Sequence, residues 1–306
     1  MTIIKITLII SFLFLLNAKD DISLFDEYHN RLCKVLVNTS NSIDDYFIED
    51  DNSSLSSTTY AEFSTSFAKE SYLDREKDVR FRLRVNLPKI QKKLRLVFED
   101  ENSDNLLYDG TALNNQDLQD KRYYLRLEYF TYLKETFHLQ LGGGVRFRKR
   151  NLVPYLNINA KYELYNANKH RSQLLNRFRY YSDGEIENNF EFNSLYTFFD
   201  NFYLTFNNNL YHSTNNTFLT LFDDFSFVYF FNEKQQVNFG LGISSNLQRF
   251  EKSNVNYYYL HSSYRDIFYK DWVYYELSPS ILKRSINDFK TSYRFLINFG
   301  IYFKSE

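Results

Sequence analysis

The chain has 306 residues with 37 basic and 38 acidic side chains, a formal net charge of −1, so no electrostatic excess argues for nucleic acid. Mean hydropathy is −0.49 although 19% of residues are aromatic. No stretch after the first twenty residues approaches eighteen apolar positions, which excludes transmembrane helices. The single cysteine, Cys33, excludes an internal disulfide. No His or Cys spacing suits a metal, and no cofactor is expected.

Residues 1–18 read as a signal peptide. Lys5 supplies a weakly basic start, Thr7 to Leu16 form an apolar core of about ten residues, and cleavage is expected after Ala18. Residues 19–55 differ in pattern from the rest of the chain. Phe25, Tyr28, Leu32, Val35, Thr39, Ser42 and Tyr46 recur at spacings of three and four, which predicts one amphipathic helix close to a heptad. Asp20 or Asp21 caps it, and Asp50-Asp51-Asn52-Ser53-Ser54 ends it.

From residue 56 to 306 the pattern is strict alternation of apolar and polar residues in segments of about ten, broken by polar turns. Val79-Arg80-Phe81-Arg82-Leu83-Arg84-Val85 and Phe295-Leu296-Ile297-Asn298-Phe299 are the plainest copies. Alternation puts one set of side chains on each face of a strand, and about ten residues cross a hydrocarbon layer as a tilted strand. Fourteen strands are predicted, near 58–69, 78–88, 92–100, 120–132, 135–148, 152–166, 170–182, 186–199, 202–213, 216–231, 235–250, 254–269, 271–282 and 288–303. The first, with Tyr60, Phe63 and Phe67 as its apolar positions, is the least regular. Merging two weak strands gives twelve. An even count puts both ends on the periplasmic side. Turn formers separate the strands at Ser182-Asp183-Gly184-Glu185, Ser213-Thr214-Asn215-Asn216 and Asn232-Glu233-Lys234-Gln235. The expected fold is therefore all-β: a transmembrane antiparallel up-and-down β-barrel of about 12–14 strands preceded by one amphipathic helix. The helix closes the periplasmic mouth of the barrel, plugs its lumen, or serves as a stalk or an association element. Outer-membrane lipid is the expected surroundings. The only long connection runs from Glu101 to Asp120, so large receptor or adhesin roles, which reside in long external loops, are disfavoured.

Several segments carry a resemblance: Ile43-Asp44-Asp45-Tyr46-Phe47 at the helix end, Leu83-Arg84-Val85-Asn86-Leu87-Pro88 with Leu94-Arg95-Leu96-Val97-Phe98, Asp271-Trp272-Val273-Tyr274-Tyr275-Glu276-Leu277-Ser278-Pro279, and the final strand. Together they resemble Gram-negative outer-membrane β-barrel proteins, most like uncharacterised members with an N-terminal helix before a short-turn barrel. The resemblance spans most of the chain after the signal peptide and is architectural. It implies export to the bacterial outer membrane and specifies no chemistry. In such proteins the last strand usually ends on an aromatic residue; here Phe303 is followed by Lys304-Ser305-Glu306.

The polar half of the alternation is where function is to be sought. An arginine in the lipid midplane costs roughly 2–4 kcal/mol, so the rows of charge should face the lumen. The candidate lumen-lining residues are Arg80, Arg82, Arg84, Arg95, Arg126, Glu128, Arg177, Arg179, Glu187 and Glu191. Charged rings of this kind select solutes by sign. Alternatively, facing Arg and Glu rows pair across strands and fill the interior. Gly142-Gly143-Gly144 lacks the helix and Lys-Ser/Thr of a phosphate loop, and reads as a bend, a bulge or a close approach. His261 and Ser263 share a strand face and form the nearest approach to a hydrolase pair. Asp223-Asp224 interrupts an aromatic strand, so one carboxylate faces outward unless the strand bulges there. The pattern admits three readings: a passive porin-like channel with a charged lumen; a non-conducting scaffold whose 20–50 helix binds itself or a periplasmic partner; and a lipid-modifying barrel enzyme. The first is preferred, with no catalytic residues assigned.

Overall fold

The computed structural model describes residues 24–47, 60–73, 75–86, 94–99, 123–134, 136–148, 151–248 and 252–304. The signal-peptide reading and the 101–120 loop lie outside the described residues. One helix, α1 (Leu24–Phe47), precedes fourteen strands: β1 (Tyr60–Glu70), β2 (Glu76–Asn86), β3 (Leu94–Glu99), β4 (Tyr123–Leu133), β5 (Phe137–Arg148), β6 (Asn151–Ala167), β7 (His170–Tyr181), β8 (Ile186–Phe199), β9 (Phe202–Ser213), β10 (Leu219–Phe230), β11 (Gln235–Gln248), β12 (Lys252–Tyr269), β13 (Val273–Arg284) and β14 (Thr291–Lys304).

Each strand pairs antiparallel with its sequence neighbour, and β1 pairs with β14 from Tyr60↔Lys304 to Glu70↔Arg294, closing the barrel. Closure removes the exposed edges that an open sheet would leave in lipid. Because side chains alternate, the register sorts every described strand into two faces. On β14 the outward face is Phe295, Ile297, Phe299 and Ile301, and the inward face is Arg294, Leu296, Asn298 and Gly300. On β1 Phe63 and Phe67 face outward, whereas Tyr60 faces inward and donates from its hydroxyl to Glu62 Oε2 at 2.7 Å. Tyr60 therefore does not belong with the apolar row that the sequence suggested. The strand boundaries agree with the predicted ones to within a few residues, as expected where turn residues fray the ends of the ladder.

Both ends of the barrel emerge on one side, which α1 occupies. Its first turns lie on the rim formed by the β12–β13 turn and β14. Phe25 packs at 4.9 Å between ring centroids on Trp272, and His29 stacks on the same indole at 3.9 Å. Asp26 pairs with Lys270 at 2.8 Å and accepts from the Tyr269 hydroxyl at 3.0 Å. His29 Nε2 meets the Tyr302 carbonyl at 2.8 Å. Beyond this patch Tyr28, Leu32 and Val35 remain exposed. Three apolar positions of the predicted heptad stripe are thus exposed in a single chain.

Glycines control the inner surface. A Cβ at Gly300 would collide with the Tyr274 ring, one at Gly242 with Tyr259, and one at Gly144 with Tyr155, 2.8 Å from its hydroxyl. Each tyrosine lies flat over the glycine of the adjoining strand, which has no side chain to obstruct it. Gly142 and Gly144 face inward for this close approach, and no bulge interrupts β5 against β6 there. In the β7–β8 turn Gly184 adopts φ +88°, a left-handed conformation open to glycine without strain.

Candidate functional site

The lumen face is the candidate site, and its charges fall into three groups. The first lies at the end of the barrel away from α1. Arg146 on β5 is fully buried and reaches past β6 and β7 to Glu185 Oε2 at 2.5 Å and Glu187 Oε1 at 3.0 Å. Its guanidinium lies 3.7 Å above the Tyr181 ring. Glu187 also accepts from Tyr181 at 2.5 Å and Tyr211 at 3.1 Å, and faces Arg179 at 3.4 Å. Ser213 donates to Glu185 at 2.7 Å. One turn of the register further in, Arg177 meets Glu191 at 3.1 Å, and Asn189 donates to the same carboxylate oxygen. Buried carboxylates remain ionised only when paired and hydrogen-bonded in this way.

The second group straddles the closing seam. Arg284 on β13 holds Glu70 on β1 with two parallel bonds of 2.7 and 2.9 Å, and Ser292 adds a third at 3.0 Å. Arg294 on β14 reaches Glu76 on β2 at 2.8 Å. Arg80 bonds Asp78 at 2.8 Å, and Arg82 lies 3.6 Å from Glu62. Tyr274, crossing Gly300, also donates to Glu62. Arg265 stacks 3.9 Å above the Tyr274 ring.

The third group is a neutral-to-acidic hub on β10–β12. Asp224 accepts from Ser226 at 2.6 Å and from Tyr259, and lies 3.2 Å from His261 Nε2. Gly240 and Gly242 on β11 clear the space through which these side chains meet. His261 and Ser263 do share a face, but both are buried, and among the described residues no hydrogen bond joins them. Ser226 and Asp224 both approach Nε2, while Nδ1 has no partner among the described residues. A hydrolase arrangement instead puts nucleophile and orienting carboxylate on opposite ring nitrogens. Among the described residues no cluster of His, Cys, Asp or Glu could hold a metal ion.

Of the ten candidate lining residues, Arg80, Arg82, Arg177, Arg179, Glu187 and Glu191 lie on the lumen face in the contacts above. The backbone register puts positions 84, 95, 126 and 128 on that same face, with Arg95 opposite Glu128 on the neighbouring strand. Their side chains are outside the described residues. Sequence reasoning did not single out Glu62, Glu70, Arg265, Arg284 or Arg294, and it noted Asp224 only for its place beside Asp223. Their signal was available in part: Tyr257, Tyr259, His261, Ser263 and Arg265 occupy every second position of one strand.

Solved structures share this architecture. The chain matches a loop-deletion form of OmpT, an outer membrane protein of Vibrio cholerae, with TM-score 0.50 and 11% identity, over 81% of this chain and 99% of that one. The fold is that of a Gram-negative outer-membrane β-barrel. Two further likenesses are the CymD monoaromatic hydrocarbon channel (TM-score 0.47, 8% identity, 82% and 88% of the two chains) and the KdgM porin (0.37, 7%, 78% and 98%). No family model and no curated protein matches the sequence.

Proposed function

We propose that this barrel is a passive outer-membrane channel for small polar solutes, narrow and weakly charge-selective, with α1 at its periplasmic rim. The observation that carries this reading is the combination of closure with an inward face that is polar around the described wall. Ser66, Arg80, Arg82, Asn207, Asn209 and Asn298 retain partial accessibility on that face, while Glu62, Glu70, Glu187 and Glu191 are buried beside arginines and Asp224 is buried among hydrogen-bond donors. A wall whose carboxylates are already neutralised presents little net field to a passing ion. Selection would then rest on width and hydrogen bonding. Current steps in planar bilayers, from protein shown to be folded by heat-modifiable gel mobility, test the reading. Folded protein without steps would exclude it.

A second reading draws on the exposure of Tyr28, Leu32 and Val35. Their three-and-four spacing is that of a coiled-coil seam, so α1 would associate with another helix beneath the barrel and serve as a scaffold. Cys33 points instead toward His29, with Sγ 3.7 Å from its Nε2, so native-thiol crosslinking would not report on that seam. A Leu32→Cys, Cys33→Ser variant would. Absence of disulfide-linked dimer under oxidant would count against association through it. The enzyme reading draws no support from the arrangement around His261.

A further inference from the structure

The outward wall is not uniform. On β11 and β14 the central lipid-facing positions are apolar, as Phe239, Leu241, Phe295 and Ile297 illustrate. On β7–β10 they are interrupted by polar side chains: His170, Ser172 and Ser194 toward the α1 end, and five more from mid-strand to the far end. Asn176 donates to Asn188 at 2.8 Å, Asn188 stands opposite His212, and Asn208 donates to Asp223 at 2.5 Å. The register through Asp223 and Asp224 runs unbroken against both β9 and β11, so no bulge turns Asp223 inward. Asp224 takes the lumen face and Asp223 the lipid face.

The depth of Asp223 decides whether this matters. At the α1 end the outward aromatics form a contiguous girdle, with Phe202 stacked 5.8 Å from Phe227 and Tyr229 packed 5.0 Å from Phe231. Asp223 lies six residues from Tyr229, about 20 Å along the strand at about 3.4 Å per residue. At a tilt of about 40° that is about 15 Å along the membrane normal, inside an apolar band about 25 Å tall. A carboxyl group at that depth has no water to satisfy it, and one amide bond leaves most of its capacity unused.

We infer that the β7–β10 wall is a lateral contact with a second copy of this chain. The patch holds both kinds of group that such a contact needs: a carboxyl acceptor in Asp223 and donors in Asn176, Asn188, Asn208 and His212. It is therefore complementary to itself about a two-fold axis, as an isologous interface requires. Its occupant is then fixed by chemistry, because a lipid tail offers neither donor nor acceptor and a second copy offers both. The contact removes Asp223 from hydrocarbon and leaves the lumen charges untouched, so it stands independently of conduction.

Site-directed crosslinking in phosphatidylcholine vesicles tests this. In a Cys33→Ser background, Leu210→Cys puts a thiol inside the patch and Phe295→Cys puts one on the apolar wall. With a short bis-maleimide, the contact predicts about tenfold more linked dimer from the first than from the second. Adding Asp223→Leu with Asn208→Leu to the Leu210→Cys chain should remove that excess while heat-modifiable mobility persists. Equal linkage at the two positions, no dimer at either, or an excess indifferent to the double substitution would overturn the proposal. If the double variant fails to fold, the comparison of positions 210 and 295 still decides.

Discussion

Tyr274 on β13 reaches Glu62 on β1, two strands away, because Gly300 between them has no side chain. The same device recurs where Tyr259 passes Gly242 to reach Asp224. Inward glycines are thus what let polar side chains bond across a strand instead of lining it.

Gly300→Ala should displace Tyr274 and destabilise the barrel by about 1–3 kcal/mol, the usual cost of overpacking. Gly143→Ala is the control, because it faces outward and its nearest neighbours lie 3.7 Å from the added carbon. Urea unfolding in lipid vesicles, read by gel mobility, should separate the two variants.

Arg146→Ala should cost about 3–5 kcal/mol, because it strands Glu185 and Glu187 without a cation in a dry setting. Adding Glu185→Gln and Glu187→Gln should recover part of that loss by removing the unpaired charge. The same unfolding measurement applies, and equal stability of Arg146→Ala and the parent would contradict the network.

Docking of α1 should weaken on acidification. Burial against the rim lowers the pKa of His29 from its ordinary value of 6.5, outweighing the opposing influence of Asn30 and Asp26; Lys270 lowers it further. The docked helix therefore binds fewer protons than the released one. Docking is complete above about pH 6.5 and is lost as pH falls through the lowered value. Trp272, the only tryptophan, stacks directly on His29 and reports the event by its fluorescence. His29→Ala should abolish the transition.

The strand segments, their two faces and the existence of α1 were legible in the sequence because each rests on a local period, whereas the choice between twelve and fourteen strands and the place of α1 were left open. Val79 to Val85 announces its two faces without reference to any other strand. The lumen pairing was not legible, since it depends on closure. Glu70 and Arg284 are 214 residues apart, and Glu76 and Arg294 are 218 apart. They meet only because β1 and β14 close the sheet. Arg146 finds Glu187 by spanning two intervening strands, which no pairwise strand pattern encodes. Asp223 and Asp224 looked equivalent until the register assigned one to each face.

The proposed channel is narrow, and its wall charges are largely spent on one another. Single-channel recording of folded protein across a planar bilayer, under a salt gradient, tests it most directly. Such a lumen should give small, voltage-independent steps with a reversal potential close to zero. Folded protein that gives no steps, or steps with a reversal potential near the Nernst value for either ion, would contradict it.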